Sequence, residues 1–218
     1  MKFIAIKNSS DKIPVGKIVC VGRNYAEHAR ELGNEIPEKP VVFLKPNSAI
    51  IYSGERIIYP NFSGDMQHEV ELVLLIGKTI KGADKKNVED AILGYGVGLD
   101  MTLRDIQSEL KKKGHPWTIA KGFDTSAVIS DFVLKKDHNL TLDEVISLSI
   151  NGTTKQRAKL NTMIFIPSKI VEYISSLMTL EEGDLIYTGT PAGVSKVEKG
   201  DKIFAEIEGI ASLQCEVR

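Results

Sequence analysis

The sequence has few cysteines and no long apolar run. Its two cysteines, Cys20 and Cys215, lie far apart in a chain of 218 residues and form no C-x-x-C pair. This spacing argues against a disulfide scaffold or a zinc site and favours a reducing compartment. Residues 1–7 are too short for the apolar core of a signal peptide, and no apolar run approaches membrane-spanning length. We therefore expect a cytoplasmic protein with no membrane partner.

The sequence also lacks an excess of charge of either sign. It carries 28 basic and 29 acidic side chains, for a net charge of −1, whereas nucleic-acid binders normally carry a basic excess. We expect no nucleic-acid partner. The hydrophobic fraction of 42% is enough for a folded core, and no linker, low-complexity segment or clear repeat divides the chain. The length fits one domain with a small N-terminal extension.

Two acidic side chains stand at the start of a strongly apolar stretch, residues 68–77. The stretch is rich in β-branched residues and closes at a glycine, which predicts a strand. Glu69 and Glu71 then project from the same face of that strand. They form either the wet face of a surface strand or a pair of oxygen ligands for a hard divalent cation. An isolated buried carboxylate would cost on the order of several kcal/mol without a cation.

A third carboxylate follows a second strand signal at residues 94–100. Glycine alternates there with other residues, which permits the close approach of a neighbouring backbone or of a ligand. The spacing of these glycines does not fit a dinucleotide-binding loop. Asp100 ends the strand, and three carboxylates with waters suit Mg²⁺ or Mn²⁺ far better than zinc.

Residues 24–33 predict a short helix, with Asn24 as a candidate N-cap and Gly33 as the stop. His28 and Glu31 are spaced i, i+3, so their side chains can meet on one face. A carboxylate beside an imidazole orients it and raises its basicity, as the activation of a water molecule requires. From the spacing alone, a surface pair without a catalytic role is the favoured interpretation.

The segment 101–124 is polar, is broken by glycine and carries the only tryptophan. A helical turn followed by such a loop predicts a lid over a site. The lysines at 111–113 predict a solvated face, whereas Lys121 is placed to meet an anionic substrate. The glycine-flanked loop 188–194 can offer backbone N–H groups and the Thr190 hydroxyl to an anion, and a plain turn is the alternative.

The rest of the chain predicts mostly strands. Residues 145–150 alternate in polarity and run into Asn151-Gly152, which is a strong hairpin signal. A helix is predicted at 167–180 from its apolar stripe, and a weaker one at 86–93.

Taken in order, these segments resemble the fumarylacetoacetate hydrolase family, in its branch of small acylpyruvate hydrolases and oxaloacetate decarboxylases. The resemblance rests on the motifs Gly22-Arg23-Asn24-Tyr25, Phe43-Leu44-Lys45-Pro46, His68-Glu69-Val70-Glu71-Leu72, Gly98-Leu99-Asp100-Met101-Thr102, Arg104-Asp105-Ile106-Gln107, Lys121-Gly122-Phe123-Asp124 and Thr188-Gly189-Thr190-Pro191-Ala192-Gly193-Val194. It implies a mixed, β-rich α+β fold, a β-roll flanked by short helices. It also implies one catalytic domain at 17–218, after a strand or extension at 1–16, and a homodimer.

The resemblance further implies roles for individual residues. The metal ligands would be Glu69, Glu71 and Asp100, and the metal Mg²⁺ or Mn²⁺. The catalytic residues would be His28, Glu31 and Lys121. The substrate-binding residues would be Arg23, Arg104, Gln107, Lys121 and Thr190.

The activity that we expect is hydrolysis of the C–C bond of acylpyruvates to a carboxylate and pyruvate, by a water molecule that His28 activates. Decarboxylation of oxaloacetate is a companion activity, and in each case the partner is a small 2-oxo acid. Two alternatives use the same site: isomerisation or decarboxylation of long unsaturated oxo-diacids, and keto–enol tautomerisation of oxaloacetate. A metal-binding module without catalysis is the alternative from another class.

Overall fold

The structure is a computed structural model that describes residues 1–82 and 85–218. Its strands are β1 Phe3–Ala5, β2 Lys12–Pro14, β3 Ile18–Gly22, β4 Val41–Lys45, β5 Ile50–Tyr52, β6 Arg56–Ile57, β7 Met66–Gln67, β8 Val70–Ile76, β9 Ile92–Asp100, β10 Thr102–Leu103, β11 Ala127–Ile129, β12 Val133–Leu134, β13 Val145–Ile150, β14 Thr153–Lys159, β15 Leu185–Tyr187, β16 Lys202–Ile207 and β17 Ala211–Val217. Its helices are α1 Ala26–Glu31, α2 Lys85–Ala91, α3 Arg104–Lys113, α4 Thr118–Lys121 and α5 Pro167–Leu177. Within the described ranges, no helix combines the length and the apolar character needed to cross a membrane.

Two sheets form the body of the fold. The larger sheet runs in the order β4-β3-β15-β8-β9-β11-β5, with β12 also paired to β9, and the smaller one in the order β14-β13-β16-β17-β6. Strand β9 packs against β16 and β17, so the middle of the larger sheet lies under the smaller one. The N-terminus forms a hairpin of β1 and β2, whose Ile4 is buried. The division into 1–16 and 17–218 stays a prediction.

Strand β8 is buried along its whole length because both of its faces meet apolar residues. Leu72 and Leu74 belong to one core cluster, and Val73 and Leu75 to a second cluster on the opposite face. Burying one such side chain contributes roughly 1.5–3 kcal/mol. Glu71 shares the face of Val73 and Leu75, and its exposed fraction is 1%. The interpretation of this strand as a wet surface strand is therefore wrong.

Strand β9 approaches β8 closely through its glycines. In the antiparallel register, Gly98 lies opposite Glu71 and Gly96 opposite Val73. A Cβ atom on Gly98 would lie 2.7 Å from the Tyr187 ring and 2.7 Å from Val73 Cγ2. Gly98 is therefore required by close packing, as the alternation of glycines predicts.

The first helix is shorter than predicted at both ends. It covers Ala26–Glu31, and its N-cap position belongs to Tyr25 without a side-chain hydrogen bond. The prediction of Asn24 as the N-cap is wrong because its side chain serves distant parts of the chain. It donates to the Thr188 carbonyl at 2.7 Å and accepts from the Phe165 N–H at 2.7 Å.

Two other helices also end earlier than predicted. Helix α2 ends at Ala91 because Ile92 already pairs with Ile76 and begins β9. Helix α5 ends at Leu177 because Met178 is extended, with φ −141° and ψ 155°. In both cases the chain leaves the helix to join strand-like pairing, which the apolar pattern of a helix does not reveal.

The predicted hairpin is confirmed, whereas the predicted lid segment is mostly helical. Asn151 and Gly152 have φ values of 51° and 79°, as a type I′ turn requires. In this segment, α3 ends at Lys113 and is followed by Gly114 with φ 66°, and α4 carries Lys121 in its last turn. The segment thus forms two short helices that present side chains to the end of the β8–β9 pair, and its role as a lid stays a prediction.

The close packing of β9 predicts the effect of one substitution. We expect Gly98→Ala to lower the free energy of unfolding by about 1–3 kcal/mol, because the added methyl group would overlap the Tyr187 ring and Val73. Chemical denaturation measures this difference. Gly64→Ala is the matched control, since its added Cβ atom would find no neighbour nearer than Asp105 Oδ2 at 4.0 Å. Equal stability of Gly98→Ala and the wild type would contradict the packing described.

Candidate active site

Three carboxylates converge at one end of the β8–β9 pair. Glu69 and Glu71 lie at the start of β8, Asp100 ends β9, and the Asp100 N–H donates to the Glu69 carbonyl at 2.9 Å. One oxygen from each side chain lies within 4.8 Å of the others, and all three side chains are buried. The antiparallel pairing of two sequence-distant strands thus assembles the predicted carboxylate cluster.

Two lysines offset part of this buried charge. Lys121 Nζ lies 2.7 Å from Glu69 Oε2 and 2.6 Å from Asp100 Oδ2, and it donates to Thr102 Oγ1 at 2.5 Å. Lys45 Nζ lies 2.7 Å from Asp100 Oδ1. Burial lowers the pKa of Lys121, but the charges of Asp100 and Glu69 outweigh burial and raise that pKa above its usual range. Lys121 is therefore a charged, buried cation at the centre of the cluster.

Arg104 and Gln107, near the start of α3, extend the cluster. The Arg104 guanidinium pairs with Glu69, donates from Nη1 to Gln107 Oε1 at 2.7 Å and donates from Nε to Gln67 Oε1 at 2.9 Å. Burial alone would raise the pKa of Glu69, but the charges of Lys121 and Arg104 together hold that pKa well below its usual range. Glu69 is therefore ionised and held from two sides.

Glu71 has no lysine or arginine partner within the described part of the chain, and it accepts a hydrogen bond from the Gly189 N–H at 2.6 Å. Burial raises the pKa of Glu71 well above its usual range, and the charges of Asp100 and Glu69 raise it further. Asp100 Oδ1 is also buried and accepts no hydrogen bond from the described residues, although Lys45 Nζ lies 2.7 Å away. This all-oxygen donor set, with one carboxylate that lacks a cation, fits Mg²⁺ or Mn²⁺.

The predicted His28–Glu31 pair forms, and the interpretation of it as a surface pair is wrong. His28 Nδ1 lies 3.1 Å from Glu31 Oε2, and the exposed fraction of His28 is 4%. The other Glu31 oxygen accepts from the Gly193 N–H at 3.0 Å. Among the residues that the structure describes, none forms a hydrogen bond with His28 Nε2. The imidazole is thus oriented on one side and available on the other, beside the same cavity as Glu69 and Glu71.

The loop 188–194 is fixed by a close contact with the first helix region. Gly189 has a φ of 98°, and a Cβ atom there would lie 2.6 Å from Asn24 Cβ. Asn24 also binds the loop directly through the Thr188 carbonyl. Glycine is required at position 189 both for its left-handed backbone conformation and for this contact.

Two backbone N–H groups of this loop bind carboxylates of the protein itself. The Gly189 N–H donates to Glu71, and the Gly193 N–H donates to Glu31. The prediction that the loop offers these groups to an external anion is therefore wrong for both of them. Thr190 is different, because it is buried and borders the cavity. The loop thus connects the carboxylate cluster to the His28–Glu31 pair.

These groups border one small cavity, in which the centre of a water molecule can occupy about 30 Å³. Its lining includes the predicted residues Arg23, His28, Glu69, Glu71, Arg104, Gln107, Lys121 and Thr190. Asp100 and Glu31 do not line it, and they contact lining residues. Arg23 is half-buried, with φ 59°, and its guanidinium pairs with no described residue. It is therefore a cation available to a ligand.

Lys45, Lys111 and Gln156 are among the polar residues at the site that were not predicted to belong to it. Lys45 has a signal that could have been recognised, a lysine at the end of an apolar strand directly before a proline. Lys111 lines the cavity and donates to Asn34 Oδ1 at 3.0 Å, so the prediction of a solvated face at 111–113 is wrong for this half-buried residue. Gln156 contacts Thr190 from strand β14 of the smaller sheet, and no sequence pattern indicates such a contact.

Comparisons with known proteins identify the family and several relatives of this chain. Residues 17–218 match the family profile described as fumarylacetoacetate (FAA) hydrolase C-terminal. The chain is similar to the mitochondrial oxaloacetate tautomerase FAHD1 of Bos taurus, with 44% identity over 204 residues that cover 92% of this chain and 90% of that protein. It is similar to the mitochondrial oxaloacetate decarboxylase of Dictyostelium discoideum, with 50% identity over 196 residues that cover 89% of each chain.

A solved structure shares the whole fold. The crystal structure of fumarylpyruvate hydrolase from Pseudomonas aeruginosa, in complex with Mn²⁺ and pyruvate, matches with a TM-score of 0.95 at 37% identity. The match covers 99% of this chain and 95% of that chain. It confirms the predicted β-rich α+β fold with a curled sheet and short flanking helices.

The carboxylate cluster predicts a metal-dependent stabilisation. We expect Mg²⁺ to raise the thermal unfolding midpoint of the wild type. At a free Mg²⁺ concentration about 100-fold above its Kd, the free energy of unfolding should rise by about 2.7 kcal/mol. Glu71→Gln removes the carboxylate that lacks a cation, so this variant should lose most of the shift. Thermal melts with EDTA and with Mg²⁺ measure it. Glu182→Gln, at an exposed position, is the matched control, and an undiminished shift in Glu71→Gln would refute the site.

Proposed function

Because the chain belongs to the fumarylacetoacetate hydrolase family, we propose that it forms the enol of small 2-oxo acids, with oxaloacetate as its first substrate. The observation that carries this proposal is the buried cluster of three carboxylates beside the oriented His28–Glu31 pair. A cation site and a general base then border one cavity. The similar proteins whose names include oxaloacetate support the choice of substrate.

Glu69, Glu71 and Asp100 would hold the divalent cation. When bound, Mg²⁺ or Mn²⁺ supplies Lewis-acid stabilisation of negative charge on the 2-oxo oxygen of the substrate. The Mn²⁺ and pyruvate in the similar fumarylpyruvate hydrolase support this assignment.

The cavity also offers groups that bind the anionic substrate. Arg23 pairs with no described residue, so its guanidinium can bind a substrate carboxylate in a bidentate manner. Gln107 borders the cavity next to the carboxylate cluster, where its amide N–H can donate a hydrogen bond to a developing oxyanion. Lys121 also borders the cavity, and its ammonium would donate to the oxyanion once a divalent cation replaces it beside Glu69 and Asp100. Removing one such donor typically costs about 10²–10³ in rate. Arg104, which pairs with Glu69, supports the cluster and lines the cavity.

His28 acts as the general base. Because its Nδ1 faces the Glu31 carboxylate, Nδ1 carries the proton in the neutral ring and Nε2 is the nitrogen that accepts one. In tautomerisation, His28 removes a proton from C3 of the keto acid, the C–H electron pair forms the C2–C3 double bond, and the π pair of the C2–O bond moves onto the oxygen. The oxygen takes up a proton and His28 gives up the one that it removed, so the number of protons is unchanged. No other reactant is needed.

Hydrolysis of acylpyruvates is the second candidate, and the same oriented imidazole favours it. His28 would take a proton from water, and the resulting hydroxide would attack the acyl carbonyl carbon. The bond from that carbon to C3 then breaks, its electron pair stays on C3, and C3 takes up a proton to give pyruvate. We rank hydrolysis second because the identity to the hydrolase is 37%, against 44% and 50% to the two proteins named for oxaloacetate.

The isomerisation or decarboxylation of long unsaturated oxo-diacids is the third candidate. The homodimer and the cytoplasmic location stay predictions.

The role of His28 can be tested against a second His–Glu pair in the same chain. We expect His28→Gln to lower the rate of oxaloacetate tautomerisation by about 10²–10⁴, because it removes the general base. The ultraviolet absorbance of the enol form follows this reaction, and release of pyruvate from acetylpyruvate follows the hydrolysis. Mg²⁺-dependent thermal stabilisation should remain.

His138→Gln is the matched control. His138 Nε2 lies 3.0 Å from Glu144 Oε1, but His138 does not border the cavity, so this variant should keep both activities. Wild-type rates in His28→Gln would refute the proposed base. Loss of pyruvate release with tautomerisation intact would reverse the order of the two candidates.

A further inference from the structure

We propose that Gln156 is a positioning residue that holds the Thr190 hydroxyl as a hydrogen-bond donor toward the cavity, so that the site selects a carboxylate oxygen there. This inference rests on the proposed function. Gln156 belongs to strand β14 of the smaller sheet, and its exposed fraction is 1%. It reaches the loop 188–194 from outside the cavity, and it is absent from the cavity lining.

Two backbone groups set the orientation of the Gln156 amide. Its Oε1 accepts from the Val70 N–H at 3.1 Å, and its Nε2 donates to the Pro191 carbonyl at 2.7 Å. A backbone N–H can only donate and a carbonyl can only accept. A rotated amide would therefore face both groups with the wrong polarity, so the assignment of nitrogen and oxygen does not depend on any side chain.

The same nitrogen determines the polarity of Thr190. Gln156 Nε2 lies 2.8 Å from Thr190 Oγ1. Since the amide N–H donates, the hydroxyl oxygen must accept, and the hydroxyl proton must point elsewhere. Thr190 donates to no residue that the structure describes, and it borders the cavity next to His28 and Glu71. Its proton is therefore available to an acceptor inside the cavity.

His68 completes the hydrogen bonds of this amide. His68 Nδ1 lies 2.8 Å from Gln156 Oε1, and His68 Nε2 lies 2.9 Å from Ser195 Oγ. Because the amide oxygen only accepts, Nδ1 carries the ring proton toward Gln156. Both hydrogens and both acceptor positions of the Gln156 amide are thus used. Rotation of the amide would leave several buried polar groups without partners, which is unfavourable.

A fixed donor has a consequence for specificity. The hydroxyl of a free threonine can either donate or accept, and can adapt to a ligand of either kind. With its oxygen occupied by Gln156, Thr190 favours a carboxylate, whose oxygens only accept, over a ligand group that donates. Hydrogen bonds to an ionised acceptor are also stronger than neutral ones.

The test is a double-mutant cycle on the affinity for pyruvate, measured by calorimetry at saturating Mg²⁺. We expect Thr190→Val to weaken binding roughly 10- to 100-fold, and Thr190→Ser, which keeps the hydroxyl, to stay within about threefold of the wild type. Gln156→Glu presents an acceptor that captures the Thr190 proton. It should weaken binding at least about tenfold when Thr190 is present and much less in the Thr190→Val background.

The cycle separates this role from charge repulsion and from a general structural role. Both of these would weaken binding equally in the two backgrounds, so additive losses would overturn the inference. Gln156→Met, without charge, repeats the cycle if Gln156→Glu does not fold. Gln214→Glu, at an exposed position of β17 in the same sheet, is the control for the same chemical change and should bind pyruvate like the wild type.

Two further outcomes are decisive. If Thr190→Val bound pyruvate as tightly as the wild type does, that result alone would overturn the inference, before any Gln156 variant is measured. A wild-type protein that binds Mg²⁺ but no pyruvate would overturn the proposed function, and this inference with it. If the wild type binds pyruvate and the losses of the two single variants are additive, only the role of Gln156 is overturned. The two failures are therefore distinguishable.

Discussion

Three buried carboxyl groups, with one oxygen of each within 4.8 Å of the others, are the constraint on which the rest of this structure depends. Such a cluster persists only with cations beside it, and removing one partner of a buried ion pair typically costs about 3–5 kcal/mol. Lys121 comes from α4, Arg104 from α3 and Lys45 from β4. Ile119 of α4 is 59% exposed. The ion pairs of Lys121 and Arg104 therefore contribute strongly to holding α3 and α4 over the strand ends.

The same cluster explains why the loop 188–194 has its unusual backbone. Its Gly189 N–H binds Glu71, and its Gly193 N–H binds Glu31, so a single loop orients one carboxylate of the metal cluster and the carboxylate that orients His28. Both glycines have positive φ, 98° and 99°, and this conformation aims the two N–H groups inward. A shift of the loop would disturb the cation site and the general base together, which couples their geometry.

The sequence predicts those parts of the site that follow from local periodicity. The alternation of side chains along a strand is enough to predict that Glu69 and Glu71 share one face. The position of Asp100 follows from the end of the glycine-rich strand. The contacts of Asn24, Lys45 and Gln156 could not be predicted this way, because their partners are distant in the chain. Asn24 has the local signal of a helix cap, and its side chain instead binds Phe165 and Thr188. Local rules fail where tertiary partners compete for the same polar group.

The similar proteins carry the names of different reactions, and the chemistry at C3 of a 2-oxo acid relates these reactions to one another. An enol forms when C3 loses a proton, carbon dioxide or an acyl group, and the stabilisation of the 2-oxo oxygen is common to all three. The net reaction therefore depends on what C3 carries and on whether water can stand beside His28. The carboxylate cluster would meet the need that all three routes share, and the oriented imidazole would serve the routes in which a proton leaves C3 or a water molecule.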